Sequence, residues 1–257
     1  MKNIYLLVLF LWRLTGANSS LCLPGQSEIH VNRLKFKSGC TNDVCSSLTD
    51  LVKESISLEN KCILLENSDD ELNQSFIAEN LKSFAMVSSA GATIRCSDNV
   101  GFFFLKIKTL KLSGGIDMIS FINCGRVLER KDTSPVKVSL YLKNVGDAKL
   151  EKITCRNYQG HGIIVDELDN NLNADNIILK ENSLYCRKDS FCNGGGLQLN
   201  FSKTVEKNVN FKNVEFSNLQ SSRPRSDPSI QHDRKAFYDV HGKGSAIAIQ
   251  LLSLIHI

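Results

Sequence analysis

The chain has 257 residues, 42% of them hydrophobic, enough for one large domain or two small ones. Its formal charge of +4 is spread without any Lys/Arg cluster, which excludes nucleic acid or another polyanion as the expected partner.

The first 20 residues, MKNIYLLVLFLWRLTGANSS, place Lys2 before the apolar run Ile4 to Trp12, followed by small residues around Ala17. This is the plan of a secretory signal peptide (1–17), and nine apolar residues are too few to span a bilayer. Cleavage is expected after Ala17, with Ser19 as the other option. Removing Lys2 and Arg13 takes two from the 31 basic residues and leaves 29 against 27 acidic ones. Trp12, the only tryptophan, leaves as well.

Secretion sets the reading of the cysteines. All nine (22, 40, 45, 62, 96, 124, 155, 186 and 192) lie after the signal. In an oxidising compartment most should pair, with the odd one free or bonded elsewhere. Cys40 with Cys45 and Cys186 with Cys192 are spaced to pin short loops, and Cys62 and Cys96 are further disulfide candidates. Zinc is the competing use, but there is no CxxC pair, and His161 is the only histidine within a few residues of a cysteine. Sequons at Asn18, Asn73 and Asn200 are candidate glycosylation sites.

Residues 18–46 read as an N-terminal extension. Ser47-Leu-Thr-Asp50 resembles a capping box that opens an amphipathic helix running to about Ser55, with Leu48, Leu51 and Val52 on its apolar face. The region before Phe84 is expected mostly to cap the β-rich remainder of the chain. KCILLEN and FAMVSSAGATIRCS supply the first strands.

From about Phe84 the chain consists of short β-type runs separated by Gly, Asn and Asp. Ile119-Ser-Phe121-Ile-Asn123, Ile153-Thr-Cys155-Arg-Asn157 and Val214-Glu-Phe216-Ser-Asn218 all read apolar, any, apolar, any, Asn. Asn176 to Asn182, NIILKEN, repeats the theme with one extra residue. The asparagines at 123, 157, 182 and 218 lie 34, 25 and 36 residues apart, so loops are inserted into a shorter period. Glycine-led strands follow at Gly160-x-Gly162, Gly194-Gly195-Gly196 and Gly242-x-Gly244. Strand, Asn turn, glycine turn and strand is the pattern of a right-handed parallel β-helix, in which asparagine tolerates the left-handed backbone of the turns. Phe121, Cys155 and Phe216 are expected to stack inside in register.

The stretches that carry this layout are the run from the helix to ATIRCS, GFFFLKIKTLKLSGGIDMISFINCG, and GGGLQLNF with NVEFSNL. It resembles the secreted right-handed β-helix, or pectin-lyase-like, superfamily, and in particular domains at the N-termini of large animal surface proteins. The resemblance covers about Ser47 to Leu251 and implies an all-β, single-stranded parallel β-helix with an N-terminal capping helix. It does not specify an activity, because this fold hosts enzymes and non-enzymes. Gln220 to Gly244 interrupts the pattern as a long polar loop.

His161 is the one catalytic candidate. In the polygalacturonase-like hydrolases of the same superfamily a Gly-His-Gly motif sits with Asn-Thr-Asp, Asp-Asp and Arg-x-Lys motifs. Hydrolysis of this kind takes two carboxylates at a defined separation. Here the nearest candidate is Gly146-Asp147-Ala148, less than one coil upstream, and the only Asp-Asp is Asp69-Asp70. A turn histidine between two conformationally required glycines is the favoured reading. Asp169-x-Asn171-x-Asn173 resembles the start of a calcium loop, but Ala174 replaces its glycine and Lys180 its bidentate Glu. No metal ligand set and no cofactor site is therefore expected.

The final LSLIHI matches a translated transposase-adapter end, so 252–257 is expected to be non-biological and the protein to continue past Leu251. Any membrane attachment would come from an anchor further on. The expected role is a non-catalytic extracellular recognition or scaffold module with a protein or glycan ligand. The alternative is a polysaccharide hydrolase or lyase.

Overall fold

The computed structural model describes residues 21–32, 38–66, 69–128, 136–182, 195–201, 208–219 and 247–251. Residues 1–17, Asn18, Cys186, Cys192, the 220–244 loop and 252–257 lie outside them.

The early elements are β1 (Ser27–Val31), β2 (Cys40–Thr41), β3 (Val44–Cys45), a short helix α1 (Leu48–Lys53), β4 (Lys61–Leu65) and β5 (Asp69–Leu72). Next come β6 (Phe76–Val87), β7 (Ala92–Cys96), β8 (Phe102–Ser113), β9 (Ile119–Ile122), β10 (Arg126–Leu128) and β11 (Val136–Val145). The last six are β12 (Asp147–Arg156), β13 (His161–Leu168), β14 (Asn171–Lys180), β15 (Gly195–Phe201), β16 (Asn208–Ser217) and β17 (Ile247–Leu251).

The protein is all-β. Among the described residues the pairings are parallel except for the hairpins β2–β3 and β10–β11. They form three stacks. The first runs β1, β4, the second half of β6, the second half of β8, then the opening residues of β12, β14 and β16. The second runs β5, β7, β9, then the closing residues of β12, β14 and β16. The third joins the first halves of β6 and β8 to β11, β13, β15 and β17. Parallel pairing thus reaches back to Ser27, ahead of the part of the chain where the repeat is visible in sequence.

Long strands pass from one stack to the next through a single residue with positive φ. Asn80, Lys106, Asn144 and Glu167 hold φ of 58°, 52°, 52° and 60° at one edge. Lys152, Asn176 and Asn213 do so at a second edge, and Asn123, Asn157, Glu181 and Asn218 at the third. Asparagine suits these corners because it enters the left-handed region at little cost. The register places Glu181, not Asn182, opposite Asn157. The extra residue of NIILKEN falls past the corner, and Asn182 is buried with Nδ2 donating to the Gly160 carbonyl at 3.3 Å.

Inside, equivalent positions line up. Ile94, Phe121, Cys155, Leu179 and Phe216 are successive register partners in the second stack. Phe84, Leu110, Ala148, Leu172 and Val209 form the corresponding row in the first. Phe102 meets Phe121 edge-on at 4.7 Å between centroids and stacks on Phe76 at 5.7 Å. Apolar rows of this kind are what drives parallel strands with no exposed edge between them to stay together.

The helix α1 begins at Ser47, whose Oγ accepts from the Asp50 amide at 3.1 Å. Burial acts to raise the Asp50 carboxyl, but hydrogen bonds from the Ser46 and Ser47 hydroxyls outweigh it and hold the group below the usual carboxylate range. The helix ends at Lys53, two residues short of Ser55, which takes φ 50°.

Candidate functional site

The segment Asn157 to Val165 carries the catalytic candidate. Asn157 makes the corner, and Tyr158 turns fully inward, its hydroxyl donating to the Gly195 carbonyl at 3.2 Å. Burial raises the phenol above its ordinary range, so it stays protonated. Gly160 holds φ +79°, and a Cβ there would lie 2.3 Å from the Lys137 carbonyl oxygen. At Gly162 a Cβ would come within 3.1 Å of both Leu179 Cδ2 and Tyr158 Cζ. At Gly196 it would meet the Phe216 ring at 2.5 Å. Packing therefore accounts for the glycines on both sides of His161. The histidine opens β13 opposite Val138 and Gly195, and its ring lies close enough to Gly195 that a Cβ there would be 3.3 Å from Nδ1.

The carboxylates considered as its partners are distributed over the other stacks. Asp147 opens β12 in the first stack and accepts from Asn171 Nδ2 at 2.7 Å and from Asn170 Nδ2 at 3.4 Å. Asp69 pairs with Arg95 at 3.1 Å in the second stack, where Asp70 is buried and accepts from the Leu48 amide at 3.4 Å. Asp166 shares β13 with His161 but lies five residues on. Its two oxygens take the Tyr141 hydroxyl, at 2.7 Å, and Asn200 Nδ2. Asn171 of the calcium-like triplet is held between Asp147 and Asn208, whose Nδ2 donates to it at 3.1 Å. Among the described residues no group of three His, Cys, Asp or Glu is placed to hold a metal ion.

Among the described residues three disulfides join Cys22 to Cys62, Cys40 to Cys45 and Cys96 to Cys124, which fits an oxidising compartment. The second closes the β2–β3 hairpin, and the third ties the end of β7 to the residue after the Asn123 corner. The partners of Cys62 and Cys96 were not legible from spacing, because each pair joins neighbouring turns of the stack. Cys155 is a free, fully buried thiol pushed up to about 12 by desolvation, which makes it a core residue and not a nucleophile. No helix among the described residues is long and apolar enough to cross a membrane.

The edge between the second and third stacks presents a feature that sequence patterning did not single out. A cavity of about 330 Å³ there is lined by Cys96, Asp98, Asn123, Asn157 and Gln159. Asn157 Nδ2 donates to Asn123 Oδ1 at 2.6 Å, and among the described residues Asn123 Nδ2 and Asn157 Oδ1 have no further side-chain partner. Lys137 Nζ donates to Gln159 Oε1, and the Gln159 amide nitrogen has no partner among the described residues. With Asp98, residues carrying donors and acceptors from three consecutive turns thus line one surface. In sequence these asparagines read as turn formers, and only stacking makes them a concave polar surface.

No family model, curated protein or solved structure matches the chain.

Proposed function

We propose that the chain is a secreted right-handed parallel β-helix of the pectin-lyase-like type, with α1 covering the start of the stack. Three parallel stacks linked by one-residue corners support this reading, and parallel crossovers are right-handed in nearly all proteins. The helix contributes Leu48 and Leu51 to the same core as the strands. Its Thr49 hydroxyl donates to the Glu71 carbonyl at 2.6 Å.

The role that fits best is a non-catalytic extracellular recognition or scaffold module whose ligand is a protein or glycan. The observation that carries it is the polar groove at Asp98, Asn123, Asn157 and Gln159. Its three amides and one carboxylate suit alternating donors and acceptors, such as vicinal sugar hydroxyls or a polar peptide backbone. Glycoside hydrolysis instead takes two carboxylates about 5–9.5 Å apart across the scissile bond.

Two measurements test this. Purified protein is incubated with polyuronides and animal glycans, and reducing-end or unsaturated product is quantified. It is also screened for retention on glycan and extracellular-matrix arrays, alongside the variant Asn123→Gly/Asn157→Gly, which removes the amides and keeps the left-handed corners. Retention that the double variant loses is the expected result. Product release with turnover would sink the non-catalytic reading in favour of a polysaccharide hydrolase or lyase.

A further inference from the structure

We infer that Asn73 carries an N-linked glycan in the folded protein and that Asn200 does not, although both head a sequon. The inference rests on entry into the secretory pathway, where the oligosaccharide is added to the side-chain nitrogen of asparagine.

Asn73 lies in the three-residue connection between β5 and β6, at the edge between the second and third stacks, and is exposed. The register that sets Leu72 against Cys96 puts Asn73 just past the ladder, beside the Ser97 turn. Its sequon serine, Ser75, accepts from the Gly101 amide at 3.2 Å. That bond bridges neighbouring turns and forms only on folding, so the hydroxyl is free on the nascent chain. A sugar on the exposed Asn73 projects into solvent, clear of the paired strands.

Asn200 is placed oppositely. It sits inside β15 with paired strands on both sides, opposite Asp166 of β13 and Gln250 of β17. Its side chain is half-buried, and both ends of the amide are engaged. Nδ2, the atom a glycan would take, donates to Asp166 Oδ1, and Oδ1 accepts from Gln198 Nε2 at 3.0 Å. Asp166 in turn accepts from the Tyr141 hydroxyl at 2.7 Å. A sugar on Nδ2 would replace one of its two hydrogens and crowd the Asp166 and Gln198 side chains packed against the amide, so the close Asn200–Asp166 contact would have to open. Molecules modified there on the nascent chain should fail to close β15 and be retained by the cell.

The test uses the full chain behind a heterologous signal peptide in animal cells, so that failure of the native leader does not mask the result. Secreted protein is deglycosylated enzymatically in heavy-oxygen water, which marks each formerly occupied asparagine, and is mapped by peptide mass spectrometry. The expected map shows the label at Asn73 and none at Asn200. Asn73→Gln should lose one glycan-sized gel shift. Ser202→Ala, which abolishes the second sequon while keeping the Asn200 amide and its bonds, should leave mobility unchanged. Label at Asn200 in the secreted pool, or an unlabelled Asn73, would overturn the inference. A chain that is labelled at Asn73 here but not exported by its own N-terminus would refute native secretion and leave the site assignment standing.

Discussion

The Gly-His-Gly triplet invites a catalytic reading, yet the geometry makes its first glycine a structural necessity and its histidine dispensable to the fold. Gly160→Ala tests this directly. Placing an alanine at φ +79° costs about 1–2 kcal/mol for the left-handed conformation. Its Cβ would also lie 2.3 Å from the Lys137 carbonyl oxygen, a backbone atom of the neighbouring strand that cannot swing aside. Relieving such overpacking costs about 1–3 kcal/mol. Together these come to roughly 2–5 kcal/mol, a large share of the 5–15 kcal/mol that holds a typical domain. With a urea slope of about 2–3 kcal/mol per molar, the unfolding midpoint should fall by roughly 0.7–2.5 M. His161→Ala, whose side chain is only partly buried at a strand start, should stay within about 1 kcal/mol of wild type. Equilibrium urea unfolding followed by far-ultraviolet circular dichroism measures both. Equal midpoints for Gly160→Ala and wild type, or a larger loss for His161→Ala, would refute the packing account of the motif.

The corner ladder makes a stabilising prediction. Glu181 holds φ +58° where asparagine stands in the register-equivalent positions 123, 157 and 218, so Glu181→Asn should raise stability by about 0.5–1 kcal/mol in the same urea assay. A loss of stability there would argue against the register. Cys96 and Cys124 close a loop of separation 28, and Cys96→Ala/Cys124→Ala should cost about 3–4 kcal/mol on the chain-entropy account, read as a lowered melting temperature. An unchanged melt would mean that the stack alone holds this edge. Burial raises the Cys155 thiol from 9.0 to about 12, so the folded state keeps a proton that the unfolded chain releases. Its stabilising effect is complete below pH 9 and is lost as the pH rises towards 12, so wild type should lose stability across that window faster than Cys155→Ala. Iodoacetamide should label Cys155 only after unfolding, as peptide mapping will show; labelling of the native protein would contradict its burial.

What was legible in the sequence was local. Alternation of apolar residues in Ile119 to Asn123, Ile153 to Asn157 and Val214 to Asn218 marked strands, because a strand puts every second side chain on one face. The asparagine closing each marked a corner, because few other side chains accept a left-handed backbone. From these two signals the inward row of Phe121, Cys155 and Phe216 could be drawn up before any coordinates, and the register contains it with Leu179 between the last two.

Tertiary structure decided whatever depends on which turn lies on which. NIILKEN ends in asparagine, but the bend falls on Glu181, because pairing with β12 sets the register and the corner residue bears the conformational cost. The glycines at 160, 162 and 196 owe their presence to a neighbouring carbonyl and to the Tyr158, Leu179 and Phe216 side chains; apart from Tyr158, which belongs to the same segment, these are supplied by segments distant in sequence. The cross-turn disulfides and the groove of Asp98, Asn123, Asn157 and Gln159 arise the same way. Strand and turn propensities act over a few residues and are written in composition. Contact between turns tens of residues apart is set by the length of each inserted loop, and no short-range pattern records it.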